Sequence, residues 1–243
     1  MVNIMKSKMN SFSYTGWRVY FEQNAAHRLV IPFQNDTLTE KEKELVFPSV
    51  CKFEQGEHSD GKHLKKEADI FAKKMHNKDY SYCIRWFIKE ENSHSGYLKA
   101  YMEHYNVNIK KNIILDNIFR RLRRLAGLQC EVIVLVTAEI IALSYYSALM
   151  DATKSHALKA ICQQMLHDEI HHVMFQSYTL SHFKNKFYTR FIRVVFMETT
   201  SVVTWASCYK VFASAGWTFK EFMRSNFYYL NQSIELSKPR LLQ

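Results

Sequence analysis

An all-α fold built on long helices is predicted by three features of the sequence. Turn-forming residues are scarce, with 6 Gly and 3 Pro in 243 residues, far below the roughly 12% that the two types together usually occupy. The prolines are Pro32, Pro48 and Pro239, so nothing from Ser49 to Lys238 has to interrupt an i to i−4 hydrogen-bond ladder. Within that stretch apolar residues recur at steps of three and four, the period of a half-buried helix. A β-sandwich, a collagen-like repeat and a Pro-rich disordered chain are all excluded by the same shortage. At 47% hydrophobic and 23% charged residues, the chain has the composition of an ordinary globular domain.

Residues 1–47 are mixed and polar, with aromatic clusters at Tyr14, Trp17, Tyr20 and Phe21 and again around Phe33. They read as an N-terminal arm or cap. Val50, Phe53, Glu57, Gly61, Leu64, Ala68, Phe71 and Met75 step by three or four and predict a first long helix over 48–76. Ile84, Phe87, Glu91, His94, Leu98 and Tyr101 predict a second over 80–105. After a polar connection, a third helix is expected in two parts, 116–126 and 128–150, with Gly127 at the joint. The stripe Leu158, Cys162, Met165, Glu169, His172 and Gln176 predicts a fourth over 154–182. A fifth helix over 187–214 and a short aromatic piece over 218–235 complete the chain. The organisation expected is therefore an arm (1–47), a four-helix bundle (48–182) and additional C-terminal helices packed on it (183–243).

Composition narrows the functional classes. The net charge is +10, with basic clusters at Lys62, Lys65, Lys66, Lys73 and Lys74 and at Arg120, Arg121, Arg123 and Arg124. A solvated surface accounts for these, and no nucleic-acid partner is expected. The five cysteines never form a CxxC pair, which argues against a disulfide framework or a zinc ribbon and favours a reduced, cytoplasmic setting. No apolar run marks the first 20 residues as a secretory signal. Val132 to Met150 is long enough to span a bilayer, but Glu139 at its middle opposes insertion by about 3 kcal/mol, so a central bundle helix is expected instead of a membrane span.

The chemistry is signalled by acids and imidazoles placed where core residues belong. Glu57 lies on the first stripe, Glu91 and His94 on the second, Glu139 in the most apolar part of the third, and Glu169 and His172 on the fourth. Carboxylates at such positions are costly unless paired or bound to a cation. In Glu-x-x-His the two side chains project from one helix face about a turn apart, so both can reach one metal ion. One such motif carries little weight. Two of them on core stripes, with single glutamates on two further helices, form the ligand set of a carboxylate-bridged dinuclear site. Four carboxylates balance two divalent ions, and oxygen and nitrogen donors without thiolate favour Fe or Mn over structural zinc.

Two positions leave alternatives open. Asp168 and His171 share the spacing of Glu169 and His172 on a less apolar stripe, and Glu54 stands one turn before Glu57. Glu57 and the Glu169 pair are the better centred. His58, His63, His76, His104, His156 and His182 read as surface or supporting residues, Glu198 as a paired one, and Tyr82, Trp86, Tyr97 and Tyr145 as packing.

The order Glu57, Glu91-x-x-His94, Glu139, Glu169-x-x-His172 resembles the ferritin-like di-iron superfamily, which includes rubrerythrins, acyl carrier protein desaturases, aldehyde-deformylating oxygenases and arylamine N-oxygenases. Glu90-Glu91-Asn92-Ser93-His94 and Asp168-Glu169-Ile170-His171-His172 are similar to the EExxH and DExxH segments of its desaturase-like members. The segments 53–61 and 119–127 also look like those of an uncharacterised bacterial ferritin-like group. The resemblance implies a bundle holding two Fe ions, with a mixed Mn and Fe pair as the variant. It also implies that Asp168, just before a ligand glutamate, bonds His94 on the facing helix. The chain departs from rubrerythrin in lacking a C-terminal CxxC pair. It departs from the N-oxygenases in having Met165 where they carry an extra histidine.

The activity expected is that of a di-iron oxidase or oxygenase. It would use O2 to oxidise a small organic or acyl substrate, with an external electron donor such as a ferredoxin and assembly as a homodimer. An iron-oxidising storage protein without organic substrate shares the same ligands. A non-enzymatic basic interaction protein would need none of them.

Overall fold

The computed structural model describes residues 2–6, 13–58, 61–107, 127–183 and 187–238, and among these every regular element is helical. After a 3-10 turn at Ile4–Lys6, eight helices follow: α1 (Tyr14–Asn24), α2 (Glu40–Glu57), α3 (Lys62–Lys74), α4 (Asp79–His104), α5 (Gly127–Ala152), α6 (His156–Ser181), α7 (Phe187–Ser214) and α8 (Phe219–Leu236). The expected helix over 116–126, the cluster at Arg120 to Arg124 and most of the 119–127 segment lie outside the described residues.

The N-terminal region is more than an arm. Ser13 caps α1 by accepting from the Gly16 N–H, and Tyr14, Trp17 and Phe21 are fully buried where α1 packs on α4. α2 begins at Glu40, set by a reciprocal capping box between Thr39 and Glu42, so the boundary expected at 47/48 falls inside a helix. Pro48 is interior and exposed. Its missing N–H leaves the Glu44 carbonyl on the solvent side, where water can satisfy it.

The single helix expected over 48–76 is two. The break passes through Gly61 at φ 61°, and a Cβ there would stand 2.5 Å from Ile88 Cδ1 on α4. The backbone can therefore turn this close to α4 only without a side chain. Gly127, at φ 72°, opens α5.

α2 packs on α4, α4 on α6 and α6 on α5, while Phe53 of α2 stacks on Tyr145 of α5 with ring centroids 3.5 Å apart. The four helices that carry the acids and imidazoles of the sequence thus enclose one interior. α5 is the one described helix apolar and long enough to cross a bilayer, but 89% of that window is buried inside the protein. α7 and α8 cover α5 from outside, joined to it by a polar seam in which Ser144 Oγ donates to Asn226 Oδ1 at 2.6 Å and Asn226 Nδ2 donates to Ser201 Oγ at 3.0 Å. All five cysteines are free thiols.

Candidate metal centre

Two crossed hydrogen bonds between α4 and α6 set the site. His94 of α4 donates from Nε2 to Asp168 Oδ2 of α6 at 3.1 Å, and His172 of α6 donates from Nε2 to Glu90 Oε2 of α4 at 2.9 Å. Each Glu-x-x-His motif is preceded by an acid that grips the other motif's histidine. Only an antiparallel pair brings both contacts into register, because a step of four residues up one helix is matched by four down the other.

With both Nε2 atoms held from behind, both Nδ1 atoms face inward. His172 Nδ1 lies 3.1 Å from Glu91 Oε1, 3.3 Å from Glu169 Oε2 and 3.9 Å from Glu139 Oε2. His94 Nδ1 lies 3.4 Å from Glu169 Oε1 and 3.8 Å from Glu91 Oε1. One donor atom from each of Glu91, His94, Glu169 and His172 lies within 4.8 Å of the others, a buried group that could hold a metal ion. His94, Glu169 and His172 have no exposed surface, and the Glu91 side chain retains 12%.

Glu139 joins through a hydrogen bond to Glu169. Glu57, on the opposite wall, accepts from the Tyr146 hydroxyl at 2.7 Å and lies within electrostatic reach of Glu91, Glu169 and His94. The structure therefore brings all six residues of the sequence constellation to one interior. It places the alternatives elsewhere. Glu54 accepts from Ser95 Oγ at 3.0 Å, and His171 turns outward to the His167 carbonyl and stacks on Tyr20. Glu198 is exposed on α7, Tyr82 is half exposed, and Tyr145 donates to Ser49 Oγ at 2.9 Å.

Charge in this interior is finely divided. Burial, then repulsion from Glu91 and Glu169, drives the Glu57 carboxyl well above its ordinary pKa. Burial and the same two neighbours do so for Glu139. Burial also works against the Glu169 carboxylate, but a hydrogen bond from Glu139 and the His172 and His94 imidazoles beside it outweigh that and keep Glu169 ionised. Burial opposes charge on both imidazoles, yet Asp168 and Glu169 raise His94, and Glu169, Glu90 and Glu91 raise His172. Four carboxyls and two imidazoles are balanced by protons here, which a divalent cation can replace.

Two residues outside the sequence constellation complete the centre. Glu90 was available from the rule that singled out Asp168, applied to the other motif. Asn24, the last residue of α1, carried no signal at all. Its Nδ2 donates to Glu90 Oε1 at 2.7 Å and to Asp168 Oδ1 at 3.0 Å, bridging the two acids that hold the two histidines. Gln164 and His167 also bond Asp168, at 2.9 and 3.0 Å. Burial opposes the Asp168 charge, but His167, His94 and Gln164 together hold its pKa far below the usual carboxylate range. A surface cleft rimmed by Arg28, Trp86 and Lys89 reaches Glu90 and Asp168 from outside.

Compared with models of protein families, with curated proteins and with solved structures, the chain matches none.

Proposed function

We propose that the chain is a ferritin-like di-iron oxidase or oxygenase whose ligands are Glu57, Glu91, His94, Glu139, Glu169 and His172. The observation that carries this reading is the set of orphaned donors at the centre. Glu91 Oε1, His94 Nδ1 and Glu169 Oε1 are buried and make no hydrogen bond of good geometry. Buried polar atoms without partners are rare, and three that converge on one point call for a ligand there. Their chemistry fits a hard or borderline divalent cation, with oxygen and imidazole donors and no thiolate.

Two Fe(II) ions held there would supply the electrons and open coordination positions for activating O2 toward a C–H, N–H or aldehyde group. The protein's own residues have narrower tasks. Asp168 and Glu90 fix the tautomer of each histidine with the proton on Nε2, leaving Nδ1 free to coordinate. Phe87, with its ring centroid 4.7 Å from that of His172, and Phe21, at 6.3 Å, keep water from one side of the centre. Tyr146 donates to Glu57 Oε1 and so orients that carboxyl toward the centre. Arg28 and Lys89 at the outer cleft suit the approach of an acidic electron donor to the acids behind the histidines.

The test is metal analysis of the protein as purified, followed by oxygen-electrode measurements after anaerobic Fe(II) loading. About two iron ions per chain and rapid O2 uptake are expected. Iron accumulating well beyond two per chain as a ferric deposit would assign storage instead. Metal-free protein that ignores Fe(II) would overturn the reading.

A further inference from the structure

Arg193 of α7 is a buried cation with no acid beside it. It is 4% exposed, on a helix that packs against α8. Its Nη1 donates to Ser237 Oγ at 3.2 Å and its Nη2 to Ser233 Oγ at 2.5 Å, both in or at the end of α8. The Nε–H is buried and meets no acceptor. The serines supply hydrogen bonds but no charge. Ser237 spends its own proton on the Ser233 carbonyl, and Ser233 pairs with Ser177 of α6, whose proton goes to the Val173 carbonyl. Burial pulls the Arg193 pKa down only to about 10, and no acid among the described residues acts on it, so the guanidinium is charged at neutral pH without a counter-charge. The C-terminus of α8 offsets at most about half a unit of that charge. Arg18 and Arg85, which can reach water, nonetheless pair with Asp79 and Asp69, whereas the arginine that cannot reach water has no such partner.

We propose that Arg193 binds a small monovalent anion, of the size and charge of chloride, at its Nε–H. Charge and enclosure set the class of ligand. One guanidinium calls for one negative charge, since a dianion would leave an uncompensated charge of the opposite sign in the same interior. A carboxylate or phosphate carried on a longer molecule would need an opening, which a residue 4% exposed does not offer. Geometry sets the place. Ser233 and Ser237 stand one turn apart and hold both Nη atoms, which fixes the guanidinium plane and with it the direction of the Nε–H. An ion there neutralises a junction of α6, α7 and α8, and so clamps the two outer helices to the helix that carries Glu169 and His172. This proposal stands apart from the metal reading and does not need it.

The experiment is thermal unfolding of the full chain at neutral pH, followed by circular dichroism, as sodium chloride replaces sodium gluconate at constant ionic strength. Gluconate is too large for the site and serves as the reference. Wild type should gain stability along a saturating curve, its folding equilibrium constant rising about 11-fold once chloride stands at roughly ten times its dissociation constant. Arg193→Met keeps most of the side chain's length and removes its charge, so it should stay folded and lose the saturating gain. A second measurement is made on wild type alone. Crystals grown in sodium bromide should show an anomalous peak at hydrogen-bond distance from Arg193 Nε. A wild type indifferent to chloride, a saturating gain that Arg193→Met shares, or a bromide map without a peak at Nε would each overturn the proposal. The bromide map decides the matter even where Arg193→Met fails to fold.

Discussion

Glu90 holds His172 from behind, with Nε2 of the ring donating to Oε2 of the carboxylate at 2.9 Å, and the contact joins two helices that each carry half of the candidate centre. Its mate runs from His94 to Asp168. Glu90→Ala and Asp168→Ala should each free one imidazole to rotate and take the wrong tautomer. Fe(II) or Mn(II) affinity, read by competition with a chelator, is expected to fall roughly 10- to 100-fold for either variant. Unchanged affinity in both would mean that the crossed bonds do not position ligands.

Asn24 bridges the same two acids, so its removal should be felt at the metal without any ligand being touched. Asn24→Ala is expected to weaken metal binding severalfold and to cost about 1 kcal/mol of stability in urea unfolding. Asn24→Asp should be worse on both counts, because it sets a third carboxylate against Glu90 and Asp168. Equal behaviour of the two variants would show that the amide's charge-neutral bridge is irrelevant.

The buried acids make the metal-free centre a cost to the fold. Glu139 is 3% exposed, the one acid between Val132 and Met150, and it faces Glu169. Glu139→Gln, neutral like the protonated acid it replaces and still able to donate to Glu169, is therefore expected to unfold, metal-free, close to the wild-type temperature. The same variant should lose the gain that metal confers on wild type, about 4 kcal/mol when free metal stands at 1,000 times its dissociation constant. Thermal scans with and without Fe(II) or Mn(II) check both halves. A metal-free Glu139→Gln that melts well below wild type would mark Glu139 as structural.

Asp36 gives a pH dependence remote from the centre. It accepts from Ser155 Oγ at 2.6 Å, Tyr105 Oη at 2.8 Å and the Ala157 N–H at 3.2 Å, tying the loop before α2 to the start of α6. Burial pushes its pKa up, but those bonds and the neighbouring His156 outweigh it, and the carboxyl titrates below its ordinary value. A folded-state pKa below the unfolded one stabilises above about pH 4 and loses that contribution as pH falls through the folded value. Asp36→Asn should thus cost about 2 kcal/mol at pH 7 and progressively less below pH 4. Parallel urea curves for the two proteins at every pH would contradict this.

What the sequence revealed and what it hid have physical reasons. The six acids and imidazoles stood out because Glu and His on an apolar stripe violate the burial pattern around them, and the stripes of Glu91 and His94 and of Glu169 and His172 need only helical periodicity to be read. The break at Gly61 was hidden because Leu64, Ala68 and Phe71 continue the steps of three and four begun before it. What reserves the turn for glycine is the left-handed backbone at Gly61 and the side chain of Ile88, 27 residues away. Pro48 suggested a helix start, yet the Thr39 and Glu42 capping box had already set one at Glu40. Asn24 was invisible because a lone amide at the end of a helix gains meaning only from the two carboxylates that tertiary packing brings to it.

The central claim, that these side chains hold two metal ions, is tested most directly by anaerobic Fe(II) titration of chelator-treated protein beside its Glu91→Ala and His172→Ala variants. Wild type should saturate at about two ions per chain, and each variant should lose at least one of them. Wild type that binds no iron, or variants that bind as much and as tightly as wild type, would contradict it.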